Sequence, residues 1–351
     1  MKLAFVVCYD QPSYIRGQVL LNSLKTMPDV ELIEIRNTHR GLSRFVEVPL
    51  KLLRVRFAQK PDAYLVTFRG YEMLLFLALT LVRKPVIFDE LINFTEWMDE
   101  HGKIRENTVK YRLFRRWYSW LSRHARLILA DTDTHAAYSA ELNHLPPDRY
   151  LTIPVGTDET VFHPMKVAKT EPFTVFYYGS MLPLHGLEYV LQAAVLLKDN
   201  PGIDFHFYGG KGKIHEACEA ARQQGAHVRD EPWLEHSKIP QTALWASLTL
   251  GGPFGGTLQS QYVITGKTYQ FLALGAPVVV GQNQVTDLFE DLQNCLMVPQ
   301  ADAQALADKI TWAFEHQPEL TTIGEQGAGL YQQHFSQAHI TKLVAQALTL
   351  L

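Results

Sequence analysis

The residues best suited to chemistry lie in one short stretch. Gly252, Pro253, Phe254, Gly255, Gly256 and Thr257 are followed ten residues later by Lys267, then by Gln270, Gly275 and Pro277. This predicts a flexible glycine turn running into a short helix that begins with Lys267 and ends at Gly275, ahead of the apolar strand Val278–Val280. A lysine in a first helical turn meets the partial positive charge of the helix N-terminus, which is unfavourable. The placement becomes favourable when an anion sits there, held by free backbone N–H groups and the ammonium together. The alternative is a solvated lysine on an exposed turn.

Those residues need elements to position them. Short apolar runs alternate with longer amphipathic ones, the pattern of a parallel sheet covered by helices. In the first half, strands are expected at Leu3–Cys8, Val30–Ile35, Ala63–Thr67, Pro85–Phe88 and Leu127–Ala130, with helices such as Tyr14–Met27 and Val109–Arg123 between them. The pattern restarts at Phe173–Tyr178 and continues through Ile203–Tyr208, Ser247–Leu250, Pro277–Val280 and Leu296–Val298. Between the halves, Ile153–Pro164 and the polar segment Lys166–Pro172 read as a linker. At 351 residues the chain exceeds what one hydrophobic core usually organises. Two domains are expected, 1–165 and 166–335, with a final helix at about 336–351 packing back on the first. Ligands bind doubly wound sheets at the carboxyl ends of their strands, so a cleft where two such ends meet is the expected site.

Composition narrows the function. Hydrophobic content of 47% and charged content of 20% describe an ordinary folded protein. The net charge of −3 gives no overall attraction to nucleic acid, but it is unevenly distributed. Residues 1–165 hold 22 basic and 19 acidic side chains, whereas residues 166–351 hold 11 and 17. Cys8, Cys218 and Cys295 are widely spaced and fit no metal-ligand pattern, so they read as free thiols in a reducing, cytoplasmic compartment. The apolar run at the N-terminus is too short for a signal peptide, and Met73–Val82 is shorter than the ~20 residues of a membrane span.

Four motifs in order resemble the retaining, nucleotide-sugar-dependent glycosyltransferases of family 4 (glycosyl transferases group 1). They are Gly179–Glu188 with His185 and Gly186, the Gly252–Thr257 loop, Lys267 and Gln270 with Gly275 and Pro277, and the linker residues Pro154, Gly156, Asp158, Phe162 and Pro164. The resemblance is strong over about 150–335 and weaker, though collinear, over 1–150. It implies an α/β chain with the GT-B fold, two Rossmann-like doubly wound parallel-sheet domains facing a central cleft. The first would be the acceptor side and the second would bind the nucleotide sugar. It assigns donor binding to Gly179, Ser180, Gly186, Phe254, Gly255, Gly256, Thr257, Lys267 and Gln270. Gly179 would allow close backbone approach beside the diphosphate, the 255–257 loop would supply donors, and Lys267 would neutralise the charge that grows as the glycosidic bond breaks. His185 stands where family members often carry a basic residue; a capping or core histidine is the alternative. The chain departs from the family at Gln270, usually a glutamate that accepts from both ribose hydroxyls, and no acid matches the family's first acidic position. Glutamine keeps one acceptor oxygen and loses the charge. Arg229 to Trp233 is the expected base-proximal loop.

On the acceptor side, Asp89 and Asp131 follow expected strands, and Arg16 and Gly17 open the first helix. Asp89 joins Lys267 and His185 as a catalytic candidate; Arg16, Gly17 and Asp131 are candidates to orient the acceptor or complete the phosphate site. All are equally readable as helix caps. Asp131 and Asp133 also invite a metal reading, for which helix capping is the rival; the double β/α pattern points to the metal-free fold, with no cofactor beyond the nucleotide-sugar co-substrate.

Residues 103–126 hold eight basic residues and one acid among Tyr111, Phe114, Trp117, Tyr118 and Trp120, and Arg40–Lys60 is also basic. Such segments suit an anionic membrane surface, with aromatic residues in the core and solvated arginines as the alternative. No nucleic-acid motif accompanies the charge. The reading is a cytoplasmic retaining glycosyltransferase, docked peripherally at the inner membrane face, that moves a sugar from a nucleoside-diphosphate donor (uridine is the family's commonest base) to a glycan or lipid-linked acceptor hydroxyl. Its rivals are a nucleotide-sugar-binding pseudoenzyme and another enzyme of the fold such as a sugar-nucleotide epimerase.

Overall fold

The computed structural model describes residues 1–11, 14–80, 83–169, 172–209 and 212–351. Leu81 and Val82 of the long apolar run, and Thr170 and Glu171 of the linker, lie outside the described residues. The chain forms two compact units, Met1–Val155 with Gln337–Leu351, and Gly156–Ser336. The break falls at Val155–Gly156 rather than after residue 165. Phe162 is fully buried, its ring meeting that of His236, so the linker's aromatic residue belongs to the second unit.

In the first unit a six-stranded parallel sheet is built from β1 (Lys2–Val7), β2 (Glu31–Arg36), β3 (Ala63–Val66), β4 (Val86–Asp89), β5 (Leu127–Ala130) and β6 (Tyr150–Thr152), in the order β2-β1-β3-β4-β5-β6. The central strands β3, β4 and β5 are buried throughout, as expected of a parallel sheet covered on both faces. One face carries α2 (Arg44–Ala58), α3 (Tyr71–Leu79), α5 (Val109–Ser122) and α6 (Asp133–Asn143), over a core that includes Val48, Leu52, Met73, Leu74, Leu77, Tyr118 and Leu121. The short α4 (Phe94–Glu100) precedes α5. The other face carries α1 (Ile15–Lys25) and the last helix, α13 (Gln337–Thr349). Ile340, Val344 and Ala347 join Leu20, Leu21 and Leu24 there, and Gln337 Nε2 donates to Ser23 Oγ at 2.7 Å. The C-terminal helix thus belongs to the first unit.

The second unit repeats the architecture. Its strands β7 (Phe173–Tyr178), β8 (Ile203–Tyr208), β9 (Val228–Glu231), β10 (Leu248–Leu250), β11 (Val278–Gln282) and β12 (Leu296–Pro299) run in parallel in the order β12-β11-β10-β7-β8-β9. Helices α7 (Leu187–Leu196), α8 (Lys213–Gln223), α9 (Ile239–Trp245), α10 (Gly266–Leu274), α11 (Ala303–Glu315) and α12 (Gln317–His334) cover it.

Two strands escape the periodicity. β6 has only three residues, too few to show an alternation. β9 corrects the reading of Arg229–Trp233 as a loop, since Arg229 to Glu231 are strand. It is an edge strand paired with β8 alone, so its side chains stay charged instead of apolar. Arg229 pairs with Asp204 at 2.9 Å, and Asp230 with Arg222 at 2.7 Å.

A buried ion pair ties the first unit together. Arg16 Nε lies 3.0 Å from Asp89 Oδ1, and both side chains are 0% exposed. Arg16 Nη1 also donates to the carbonyls of Ile153 and Pro154, and Phe68 N–H donates to Asp89 Oδ2. One guanidinium therefore links α1, the end of β4 and the end of the segment after β6. Removing one member of such a pair leaves an uncompensated buried charge, at a cost of about 3–5 kcal/mol. Arg16→Met is expected to destabilise the protein by that amount in urea unfolding, with Asp89→Leu in the same chain recovering most of the loss. Equal stability of Arg16→Met and wild type would show the pair to be dispensable.

Candidate active site

The N-terminus of α10 lies at the centre of the candidate site. Thr265 is its N-cap, its hydroxyl accepting from Thr268 N–H and donating to the Gly251 carbonyl at 2.7 Å. The sequence reading started the helix at Lys267 and overlooked this cap. The N–H groups of Gly266 and Lys267 find no backbone acceptor among the described residues, so they remain free for a ligand. At the other end Gly275 takes the left-handed conformation that closes the helix, as its position predicted.

Lys267 is 6% exposed, with Nζ 4.1 Å from the centre of the Tyr177 ring. Among the described residues no carboxylate pairs with it, and burial pushes its pKa down from 10.5 to about 7. Tyr177 was hidden in the sequence because a tyrosine inside an apolar strand reads as core. Its hydroxyl is buried without a hydrogen-bond partner. Gly179, just past β7, has φ +137°, and a Cβ added there would stand 3.6 Å from Lys267 Nζ. The next residue, Ser180, is exposed.

His185 closes a single 3-10 turn, Pro183–His185, and Gly186 follows in the left-handed conformation at φ +60°. Burial, and then the charge of Lys267, hold the imidazole well below its ordinary pKa. His185 is therefore a neutral ring near neutral pH. Its Nδ1 is buried without a partner.

Loop 252–256 packs directly on this turn. Gly255 N–H donates to the Leu184 carbonyl at 3.0 Å. A Cβ on Gly255 would overlap the Pro183 carbonyl oxygen, and one on Gly186 would overlap the backbone of Phe254 and Gly255. Phe254 is buried in the core. Gly256 is exposed, and Thr257 Oγ1 accepts from Ser260 N–H, capping the next turn. Gln300, which the sequence reading did not single out, secures the loop by donating to the carbonyls of Pro253 and Ser260. Gln270 is 7% exposed, and its Oε1 accepts from the Tyr178 hydroxyl.

The structure thus brings together Gly179, His185, Gly186, Gly255, Lys267 and, newly, Tyr177, all in the second unit. The first-unit candidates sit differently. Asp89 and Arg16 face one another in the buried pair, and both side chains are 0% exposed. Gly17 is half-buried with open space beside it. Asp131 is 4% exposed and bonds His135 Nδ1 at 2.6 Å. Thr132, not Asp133, caps α6. Among the described residues no group of three His, Cys, Asp or Glu side chains is placed to hold a metal ion. Glu90, beside Asp89, is the hub of a buried network with Tyr118, Ser139 and Asn143.

Residues 172–316 match the family model described as glycosyl transferases group 1. No curated protein sequence matches the chain. Among solved structures, HepE of Anabaena in complex with UDP is similar at TM-score 0.72 and 16% identity, over 100% of both chains. Sucrose-phosphate synthase of Thermosynechococcus elongatus is similar at TM-score 0.73 and 12% identity, over 99% of this chain and 98% of that one. TarM of S. aureus is similar at TM-score 0.66 and 16% identity, over 88% of this chain and 58% of that one.

An anion bound at the α10 N-terminus favours charged Lys267, so binding above about pH 7 takes up a proton. Affinity for pyrophosphate is then expected to fall above about pH 7, by at most about tenfold per pH unit. Calorimetry across about pH 6 to about pH 9 reads this, and a Lys267→Met variant should lose the pH dependence. Because the buried ammonium has no counter-ion, Lys267→Met should melt at or above the wild-type temperature at neutral pH. A pH-independent wild type, or a strongly destabilised variant, would contradict the burial argument.

The matched segment and the two-sheet GT-B architecture support a glycosyl-transfer enzyme.

Proposed function

We propose that the chain is a retaining glycosyltransferase of family 4 that moves a sugar from a nucleoside-diphosphate donor, UDP-linked in the first instance, to an acceptor hydroxyl. The acceptor is a glycan or lipid-linked molecule in polysaccharide or glycolipid biosynthesis. The observation that carries the reading is Lys267: a buried lysine that has no counter-ion among the described residues, at a helix N-terminus whose first N–H groups find no backbone acceptor there, inside the family-matched segment. HepE, of the same fold, is known with UDP and with UDP-glucose, which supports uridine as the donor base. Gly179 and Gly255 allow the diphosphate to approach the backbone, and Lys267 balances the charge left on it.

In the proposed step the bond from the anomeric carbon to the diphosphate oxygen breaks. The acceptor oxygen bonds to that carbon on the same face, and its proton passes to the departing phosphate. The protein supplies positioning and charge stabilisation, without a nucleophile of its own or a metal ion. The second unit is the donor side and the first the acceptor side. Three buried free cysteines support the cytoplasm as the compartment.

Nucleotide release by purified protein against uridine, guanosine and adenosine diphosphate sugars tests this, with native lipid extract as acceptor source. Lys267→Ala is expected to lower turnover by about 10²–10³ while folding is kept. Normal turnover in that variant would remove Lys267 from the site. Gln270→Glu is expected to keep or tighten nucleotide binding, because the carboxylate still accepts from Tyr178. Nucleotide binding without turnover of any donor, with extract present, would favour a pseudoenzyme.

A further inference from the structure

Two helices of the first unit carry a second apolar stripe that the core does not use. On and just before α2, Leu42, Val46, Leu50 and Phe57 are between 62% and 83% exposed. Spacings of four and seven residues place Val46, Leu50 and Phe57 on one side of the helix, with Leu42 in the turn just before it. The buried residues Val48 and Leu52 lie on another side. On α5, Val109 and Leu113 are each 63% exposed and Trp120 is 41% exposed, with spacings of four and seven. Here the core takes Tyr111, Tyr118 and Leu121. Both helices lie on the same sheet face, on either side of α3, whose last residue, Leu79, is also largely exposed. Single exposed apolar residues are ordinary; stripes of them on two helices of one sheet face are not.

The charge around the stripes is one-sided. Residues 40–60 hold six basic side chains and one acid, and residues 103–126 hold eight and one. The first of those acids, Glu47, is engaged by Lys51 and by Thr38. Arg54, Arg112, Arg116 and Arg123 are exposed among the apolar residues. Aliphatic side chains contribute nothing to binding a nucleic-acid phosphate backbone. Leucine, valine and aromatic side chains interleaved with arginines are what a helix lying in a lipid headgroup layer requires. No helix among the described residues is long and apolar enough to cross a membrane.

We propose that the outer face of α2, α3 and α5 is a peripheral docking surface for an anionic phospholipid membrane, with Leu42, Val46, Leu50, Phe57, Leu113 and Trp120 entering the headgroup layer. The arginines between them hold the lipid phosphates. This extends the sequence expectation for 103–126 to a three-helix surface in which α2 contributes the longer stripe.

Sedimentation of the full chain with vesicles tests it. Wild type is expected to bind equimolar phosphatidylcholine and phosphatidylglycerol, to ignore phosphatidylcholine alone, and to be released by salt. Arg54→Glu, Arg112→Glu and Arg116→Glu combined should weaken binding about a hundredfold, at roughly fivefold per arginine. Leu50→Ser with Phe57→Ser should weaken it as well, whereas Lys198→Glu with Lys213→Glu in the second unit should leave it unchanged. Because the three native cysteines are buried, a Leu50→Cys variant can be labelled selectively with an environment-sensitive dye. Its emission should shift to the blue with anionic vesicles only, which gives a reading in a chain whose surface charges are intact. Equal binding to both vesicle types, no binding, or an unshifted dye would overturn the proposal. So would self-association abolished by Leu50→Ser with Phe57→Ser, or nucleic-acid retention abolished by the arginine variant, in the absence of vesicle binding. None of these readouts needs a sugar donor, so their failure leaves glycosyl transfer standing, and failed turnover leaves them interpretable.

Discussion

The second unit depends on a contact between two stretches of backbone with no side chain between them. Loop 252–256 lies on the turn 183–186, and Gly186 and Gly255 are glycine because each faces main-chain atoms that cannot move aside. The contact brings the segment after β7 and the segment after β10 to one place. Those segments come from neighbouring strands of the sheet, so the site forms where the parallel strands end. Helix α10 is held in turn by Thr265 on the Gly251 carbonyl. Lys267 is therefore fixed by backbone geometry rather than by a partner of opposite charge.

Charge is handled in opposite ways in the two units. The first buries Arg16 against Asp89 and His135 against Asp131, and surrounds Glu90 with hydroxyl and amide donors. Burial raises the Asp89 carboxyl despite its arginine. The second unit buries one ammonium over an aromatic ring and gives it no carboxylate. A paired buried charge is structural by default, since its field is already compensated. An unpaired one is unfavourable until something anionic arrives. That contrast, more than sequence position, separates Arg16 and Asp89 from Lys267.

Some side chains change meaning between sequence and structure. Asp89 and Asp131 both follow apolar runs and look like strand-end acids, yet Asp89 is paired with Arg16, 73 positions away, and Asp131 with His135, four positions along the chain. His185 looks basic and is held neutral by burial beside Lys267. Tyr177 looks like core and proves to be the surface against which Lys267 rests. On α5, Trp117 and Tyr118 pack toward the core while Trp120 stays outside, so the aromatic residues of the segment divide between two faces of one helix.

The sequence by itself determined the alternation of strands and helices, the restart of the pattern at Phe173 and the glycine-lysine constellation at 252–275. These are local: hydrophobic periodicity, turn residues and helix ends are written within a few positions of one another. It could not show the edge strand β9, because Arg229, Asp230 and Glu231 leave that strand without an apolar run. Only the tertiary structure decided which charges meet. Arg16 and Asp89 are 73 positions apart, and Tyr177 and Lys267 are also distant in the chain. Whether a charge is compensated depends on what burial places beside it, and no local pattern encodes that.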